Sequence, residues 1–186
     1  MSEERYKFPT QLLLIFERLN IILWTSNLNK NLDYFIIIKA ADLKNFFTYI
    51  KKSLQTSNSY IIEASSCDTS NYNYTPFDKK NSLSLTFYTI YFYLFKIKLT
   101  IFINELSIST ESIDIIYPNC NWLEREFCEM YNLQRFNKLD SRRLLLNYCD
   151  TIAPLKKNTD SKGTYEVYYD FNDRQVQFIN CIDVEL

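Results

Sequence analysis

The densest run of chemically capable side chains is Asn121-Trp122-Leu123-Glu124-Arg125-Glu126, with Glu129 three residues on. Carboxylates flanking a guanidinium suit three kinds of work. They can form an acid/base pair, which needs a pocket and a second catalytic group. They can lie on a solvated helix start as surface ion pairs worth about 0–1 kcal/mol each. They can also hold a helix against a partner, where tryptophan and arginine are favoured anchors. The rest of the chain narrows the choice. It has no histidine, which removes the common zinc and haem ligand sets and the Ser-His-Asp and Cys-His nucleophile arrangements. A chain with one glycine has no glycine-rich phosphate loop. The five cysteines, Cys67, Cys120, Cys128, Cys149 and Cys181, are odd in number and contain no C-x-x-C. That spacing argues against a disulfide framework or a zinc ribbon and fits a reducing compartment. No pocket or second catalytic group for the Glu124/Glu126 pair is legible.

The elements that must position this run are read from hydrophobic period. Pro9 and Thr10 start a helix with Leu13, Phe16 and Leu19 on its apolar side, and Ile21 to Thr25 reads as a strand. The polar stretch from Ser26 to Asn31 is a turn, and Tyr34 to Lys39 is a second strand. Leu43, Phe46, Phe47, Ile50 and Leu54 then repeat at helical spacing. Tyr60 to Ala64 is a strand, and a polar loop covers Ser65 to Asn81. Leu83 to Tyr93 and Lys96 to Glu105 form two closely spaced strands, predicting an antiparallel hairpin. The apolar stretch from Leu83 to Ile103 has the length of a membrane span, but Lys96 and Lys98 interrupt it and Lys96 to Ile101 alternates with period two, as a half-buried strand does.

A helix begins near Asn121, with Asn121 and Glu124 spaced as a capping box and Leu123, Phe127, Met130 and Tyr131 as its apolar stripe. Arg125 and Glu129 are i, i+4 neighbours on it. A short helix is expected over Ser141 to Tyr148. The stretch from Cys149 to Lys162 owns no core, and Tyr165 to Tyr169 and Val176 to Ile179 are extended pieces joined by a turn at Asp170 to Asp173. The fold class is α+β: a mixed or antiparallel sheet with helices packed on it, in a domain over 1–131, followed by an extended, partner-wrapping tail over 132–186.

With 186 residues and 47% hydrophobic content, the chain has a real core. Its 15 Tyr and 14 Phe beside a single Gly fit an AT-rich coding sequence of the kind common in organelles. The net charge of −1 provides no field to draw nucleic acid. Residues 1 to 106 carry 12 basic against 9 acidic side chains, and residues 107 to 186 carry 9 against 13, so the acidic half is the expected partner side. The first residues, Met1 to Lys7, read as neither a secretory signal nor an Arg-rich transit peptide. Phe87, Tyr88, Tyr91, Phe92 and Tyr93 also admit an RNA-binding sandwich with a stacking platform, against which stand the charge and the absent R-G-F-type signature. Core packing is the plain reading of those aromatics.

The sequence resembles the thirty-kilodalton subunit (NADH dehydrogenase subunit 9) family of respiratory complex I. Asn121 to Glu126 resembles that family's N-W-x-E-R-E signature, preceded by Tyr117-Pro118, and Glu129 stands where the family has Asp. Phe136, Arg142-Arg143-Leu144-Leu145 and Tyr148 are similar to its F…R-R-I-L-x-x-Y segment, and Pro154-Leu155-Lys156-Lys157 to its P-L-R-K. Gly163, Tyr165, Glu166, Tyr169 and Asp170 fall on its G-Y-x-E-V-R-Y-D. The family's G-H-P before the double arginine is replaced by Lys138-Leu139-Asp140, the second G-H-P keeps only Pro154, and Asn132 replaces a glycine after the helix.

The resemblance implies a structural, cofactor-free subunit of the peripheral, matrix-facing arm at the mitochondrial inner membrane, encoded in the organelle genome. Its tail would lie over the large subunit of the quinone module. FMN, iron–sulfur clusters and ubiquinone would sit on other subunits, and the scattered cysteines agree, since a cluster needs grouped thiolates. Trp122, Glu124, Arg125, Glu126, Arg142, Arg143, Lys156 and Lys157 would fix helix and tail against that partner.

Overall fold

The computed structural model describes residue 16 and residues 23–26, 33–53, 56–70, 84–105, 109–148, 152–159 and 165–180. Strands β1 (Leu23–Ser26), β2 (Asp33–Lys39), β3 (Ser59–Asp68), β4 (Ser84–Phe92) and β5 (Ile97–Glu105) form one sheet in the order β1-β2-β5-β4-β3. Only β2 and β5 run parallel; the other neighbours are antiparallel. The sheet is mixed because β2 is followed by a short 3-10 turn (Ala40–Asp42) and helix α1 (Leu43–Lys52), and a parallel neighbour requires such a crossover. No helix among the described residues is long and apolar enough to cross a membrane, and Leu83 to Ile103 resolves into the β4–β5 hairpin from Ser84 onward.

Period two decides which face is dry. Ile97, Leu99, Ile101 and Ile103 of β5 and Ile36 and Ile38 of β2 are buried under α1, whose Leu43, Phe46, Phe47 and Ile50 are fully covered. Full burial of each such side chain contributes about 1.5–3 kcal/mol. Phe47 meets Tyr88 and Tyr117 edge-on, at 5.8 and 5.6 Å between ring centres, the geometry aromatic quadrupoles prefer. Tyr88 and Phe92 lie on this covered face, whereas Phe87 and Tyr91 are half-buried on the other and Tyr93 stands in the hairpin turn. The five aromatics therefore do not share one face, although Tyr91 meets Tyr60 and Phe87 meets Phe102 on the half-buried one.

The structure corrects three sequence expectations. Strand β3 does not stop at Ala64 but runs to Asp68, so the expected polar loop begins later. Its polar end stays in the sheet because Ser65, Ser66 and Cys67 pair with Phe87, Thr86 and Leu85, and the buried Ser66 hydroxyl lies within hydrogen-bond distance of the Thr86 hydroxyl, 3.2 Å away. Residues 141–148 form no helix; the amides of Leu144 to Leu146 are taken by Glu129 of the preceding helix, described below. The capping box at Asn121 is the third. Helix α2 (Cys120–Tyr131) begins one residue earlier, with Asn119 as an N-cap that makes no side-chain cap bond. The Asn119 side-chain amide instead donates to the Ile61 carbonyl on β3 at 2.6 Å. The helix over Thr10 to Leu19, Leu54, the loop from 71 to 81, Gly163, Cys149 and Cys181 lie outside the described residues, apart from Phe16, which is buried and stacked on Phe46.

Candidate functional site

Helix α2 packs on β3 beside α1 and leaves through Asn132, whose φ of 51° and ψ of 48° are left-handed. Asn tolerates that conformation as a glycine would, so the swap from the family's glycine keeps the helix stop. The chain then forms β7 (Gln134–Phe136), paired in parallel with β6 (Ser109–Glu111), and runs back along α2.

The signature carboxylates have unlike fates. Glu124 is fully buried. Its Oε1 accepts from the Ile113 amide at 3.1 Å and the Tyr88 hydroxyl at 3.2 Å. Its Oε2 accepts from the Ser112 hydroxyl and from the Lys138 ammonium, the latter at 3.0 Å. Pairing and hydrogen bonds of this kind offset the cost of burying a carboxylate. Glu124 thus ties four segments of its own chain together rather than reaching back to a helix N–H. Glu126, two residues on, is exposed.

Arg125 and Glu129 do not pair with each other as their spacing suggested. Arg125 donates to the carbonyls of Arg142 (2.8 Å) and Arg143 (3.1 Å) and to Asp140 (3.3 Å). Glu129 accepts the consecutive amides of Leu144, Leu145 and Leu146 at 2.8, 3.1 and 2.6 Å. The two side chains therefore grip the returning segment by its backbone, and so hold 140–146 in a bent, non-helical course where a helix was expected. Burial raises the Glu129 pKa, but the three amides outweigh it and hold the carboxyl below its ordinary value. Asp140 is held further down by its bonds to Arg142, first through the side chain, and by Arg125. Lys138 also donates to the Asn121 carbonyl, and the Leu139 amide donates to Asp114.

What this framework presents outward is apolar. Trp122 is 66% exposed with the Arg125 guanidinium 5.9 Å from its ring centre. Ile115, Phe136, Leu139, Leu145 and Tyr148 are also exposed. Arg142 is exposed and bonded to Asp140, while Arg143 is half-buried. The Pro154 to Lys157 stretch is seated by backbone bonds, Leu155 N–H to the Met130 carbonyl at 3.2 Å and Lys157 N–H to Asp68 at 3.1 Å, with Pro154 exposed.

Tyr165, Glu166, Tyr169 and Asp170 lie on β8 (Tyr165–Asp170), which forms a two-stranded antiparallel ribbon with β9 (Gln175–Asn180). Cross-strand register sorts its side chains. Val167 faces Phe178 and Tyr169 faces Val176, with Tyr165 along the same side, whereas Glu166, Tyr168, Gln177 and Ile179 lie on the other, more polar side. Every one of those five apolar residues is exposed, Phe178 by 69% and Tyr165 by 62%. A lone two-stranded ribbon is marginally stable in water.

Sequence reasoning missed a second buried ion pair, Arg135 to Glu105 at 2.5 Å. A signal existed: Glu105 continues the buried parity of Ile97, Leu99, Ile101 and Ile103, so it had to find a cation inside. Among the described residues no group of three or more His, Cys, Asp or Glu side chains is placed to hold a metal. Burial pushes the Cys128 thiol up to about 12 and the Cys120 thiol higher still, which keeps both as neutral thiols near neutral pH.

The family described as the respiratory-chain NADH dehydrogenase 30 Kd subunit matches residues 36–165. The NADH-ubiquinone oxidoreductase subunit 9 of Paramecium primaurelia is 31% identical over 187 aligned residues, covering 98% of this chain and 88% of that protein. A trypsin-resistant fragment of Nqo5 shares the fold with a TM-score of 0.53 at 11% identity, over 70% of this chain and 98% of the fragment. A chain of the membrane-bound sulfane sulfur reductase, an archaeal respiratory membrane complex, does so with a TM-score of 0.59 at 13% identity, over 80% of this chain and 83% of that one.

Proposed function

This chain belongs to the family of respiratory-chain NADH dehydrogenase 30 Kd subunits, and on that premise we propose that it is a structural subunit of NADH:ubiquinone oxidoreductase. It holds no flavin, iron–sulfur cluster or quinone of its own and works by docking. Its place is the peripheral, matrix-facing arm at the mitochondrial inner membrane, its gene lies in the organelle genome, and its main partner is the large subunit of the quinone-reducing module. There it supports assembly and stability.

One observation carries this reading. The β8–β9 ribbon gathers Tyr165, Val167, Tyr169, Val176 and Phe178 on one exposed side, and an apolar face on a marginal two-stranded element calls for another protein's surface. The Trp122 region adds a second anchor of the kind interfaces favour, an aromatic stacked with an arginine. In support of the cofactor-free part, Cys120 and Cys128 are shielded thiols. On this reading electron transfer passes through other subunits, and this one fixes their geometry. A photo-crosslinker placed at Phe178 in the assembled enzyme tests the reading. Capture of the large quinone-module subunit is the expected result, and adducts confined to this chain would overturn it.

A further inference from the structure

The buried pair Arg135–Glu105 takes no part in gripping the returning segment, and it is incompletely satisfied. Both side chains are fully covered. Glu105 Oε1 accepts from Arg135 Nη2 and from the Thr86 hydroxyl at 2.8 Å. Glu105 Oε2, Arg135 Nε and Arg135 Nη1 are buried with no hydrogen-bond partner, and so are the hydroxyls of Ser84 and Thr110. Strand register brings all of these together. Ser84 is the cross-strand partner of Glu105, and Thr110 is the strand partner of Arg135, so each hydroxyl sits beside one member of the ion pair. Phe127 closes one side, its ring centre 5.1 Å from the guanidinium carbon.

Orphaned buried polar atoms are rare in folded proteins, and several converging on one spot mark a place where something polar binds. The chemistry selects the ligand. A cation would meet the Arg135 guanidinium and an anion would meet the Glu105 carboxylate, because the pair is neutral overall. A molecule that donates to Oε2 and accepts from Nη1 or Nε meets neither penalty. We propose that Ser84, Glu105, Thr110 and Arg135 enclose a water-binding site, in which about one or two ordered molecules bridge the carboxylate, the guanidinium and the two hydroxyls. The bound water pins the short β6–β7 pair to the end of the main sheet. It also keeps the ion pair in its single-bonded form, although the guanidinium could close a two-bonded fork.

An electron cryomicroscopy map of the assembled enzyme at about 2 Å tests this, with water expected as a peak about 2.7–3.2 Å from both Glu105 Oε2 and Arg135 Nη1. The same map of a complex carrying Thr110→Val, which keeps the branched shape and the ion pair but deletes one hydroxyl, should show that peak weakened or lost. Three outcomes overturn the proposal: Arg135 and Glu105 closed into a fork with no peak between them; a peak ringed only by oxygens at about 2.3–2.6 Å, which is a cation; or a peak of undiminished height in the Thr110→Val complex.

Discussion

Glu124→Gln is the most informative perturbation, because it changes one atom of the signature and leaves its shape. The amide can keep Oε1 as acceptor for the Ile113 N–H and the Tyr88 hydroxyl. The new NH2 replaces Oε2, where the Lys138 ammonium and the Ser112 hydroxyl now donate. Ser112 can turn, but Lys138, whose side chain is 5% exposed, keeps only the Asn121 carbonyl at 3.3 Å and faces an N–H. Removing one partner of a buried ion pair costs about 3–5 kcal/mol. At about 2–4 °C per kcal/mol for a chain of this size, the melting temperature should fall by about 6–20 °C. The control is Glu126→Gln, an exposed neighbour in the same signature, expected within about 0.5 kcal/mol of wild type. Thermal unfolding of the purified chain, followed by near-ultraviolet circular dichroism, measures both. Adding Lys138→Met to Glu124→Gln should recover part of the loss, since the stranded charge is gone. Equal melting temperatures for Glu124→Gln and Glu126→Gln would refute the assignment of Glu124 as the internal tie.

Other outcomes follow from the same geometry. Arg125→Ala removes three donors from the 140–143 backbone and Asp140, a loss of about 1.5–3 kcal/mol. Hydrogen exchange at Leu144 to Leu146 should accelerate and the amount of assembled complex should drop at unchanged turnover per complex; an unaltered native-gel band would count against it. Lys96 sits at φ 53° in the β4–β5 turn, so Lys96→Gly should stabilise the chain by about 0.5–1 kcal/mol, read as a higher urea midpoint. Because the Glu129 pKa is depressed in the folded state, its contribution is fully present above the unfolded value near 4.5 and is lost as pH falls through the lower folded value. The stability gap between wild type and Glu129→Gln should therefore be constant at neutral pH and narrow on acidification below that value, and a constant gap down to about pH 3 would contradict the amide grip.

The main sheet and α1 were legible because their signals are local. Alternation in β4 and β5 and the 3.6-residue repeat of Leu43, Phe46, Phe47 and Ile50 survive folding unchanged. The site was legible as a location, and its internal wiring was not. Spacing places Glu124 opposite Asn121 and Arg125 opposite Glu129, yet Glu124, Arg125 and Glu129 all take their partners from segments well outside the helix. Tertiary competition for a buried carboxylate outweighs the few tenths of a kcal/mol, about 0.2–0.5, that a helical pair offers. The same competition unmade the helix over Ser141 to Tyr148, since three of its amides serve Glu129. The ribbon at 165–180 was readable as two extended pieces, and the gathering of Tyr165, Val167, Tyr169, Val176 and Phe178 on one side follows once the register is fixed by the turn.

The docking claim is tested most directly by placing aspartates on a facing pair of the ribbon, Val167→Asp with Phe178→Asp, and measuring both the amount of assembled NADH:ubiquinone oxidoreductase and the turnover per assembled complex. Both positions are exposed in the chain itself, so its own fold should be unaffected, while each buried apolar side chain at an interface is worth about 1.5–3 kcal/mol. A severe loss of assembled complex with normal turnover in whatever remains is the expected result. Full assembly, or full assembly with lost turnover, would contradict it.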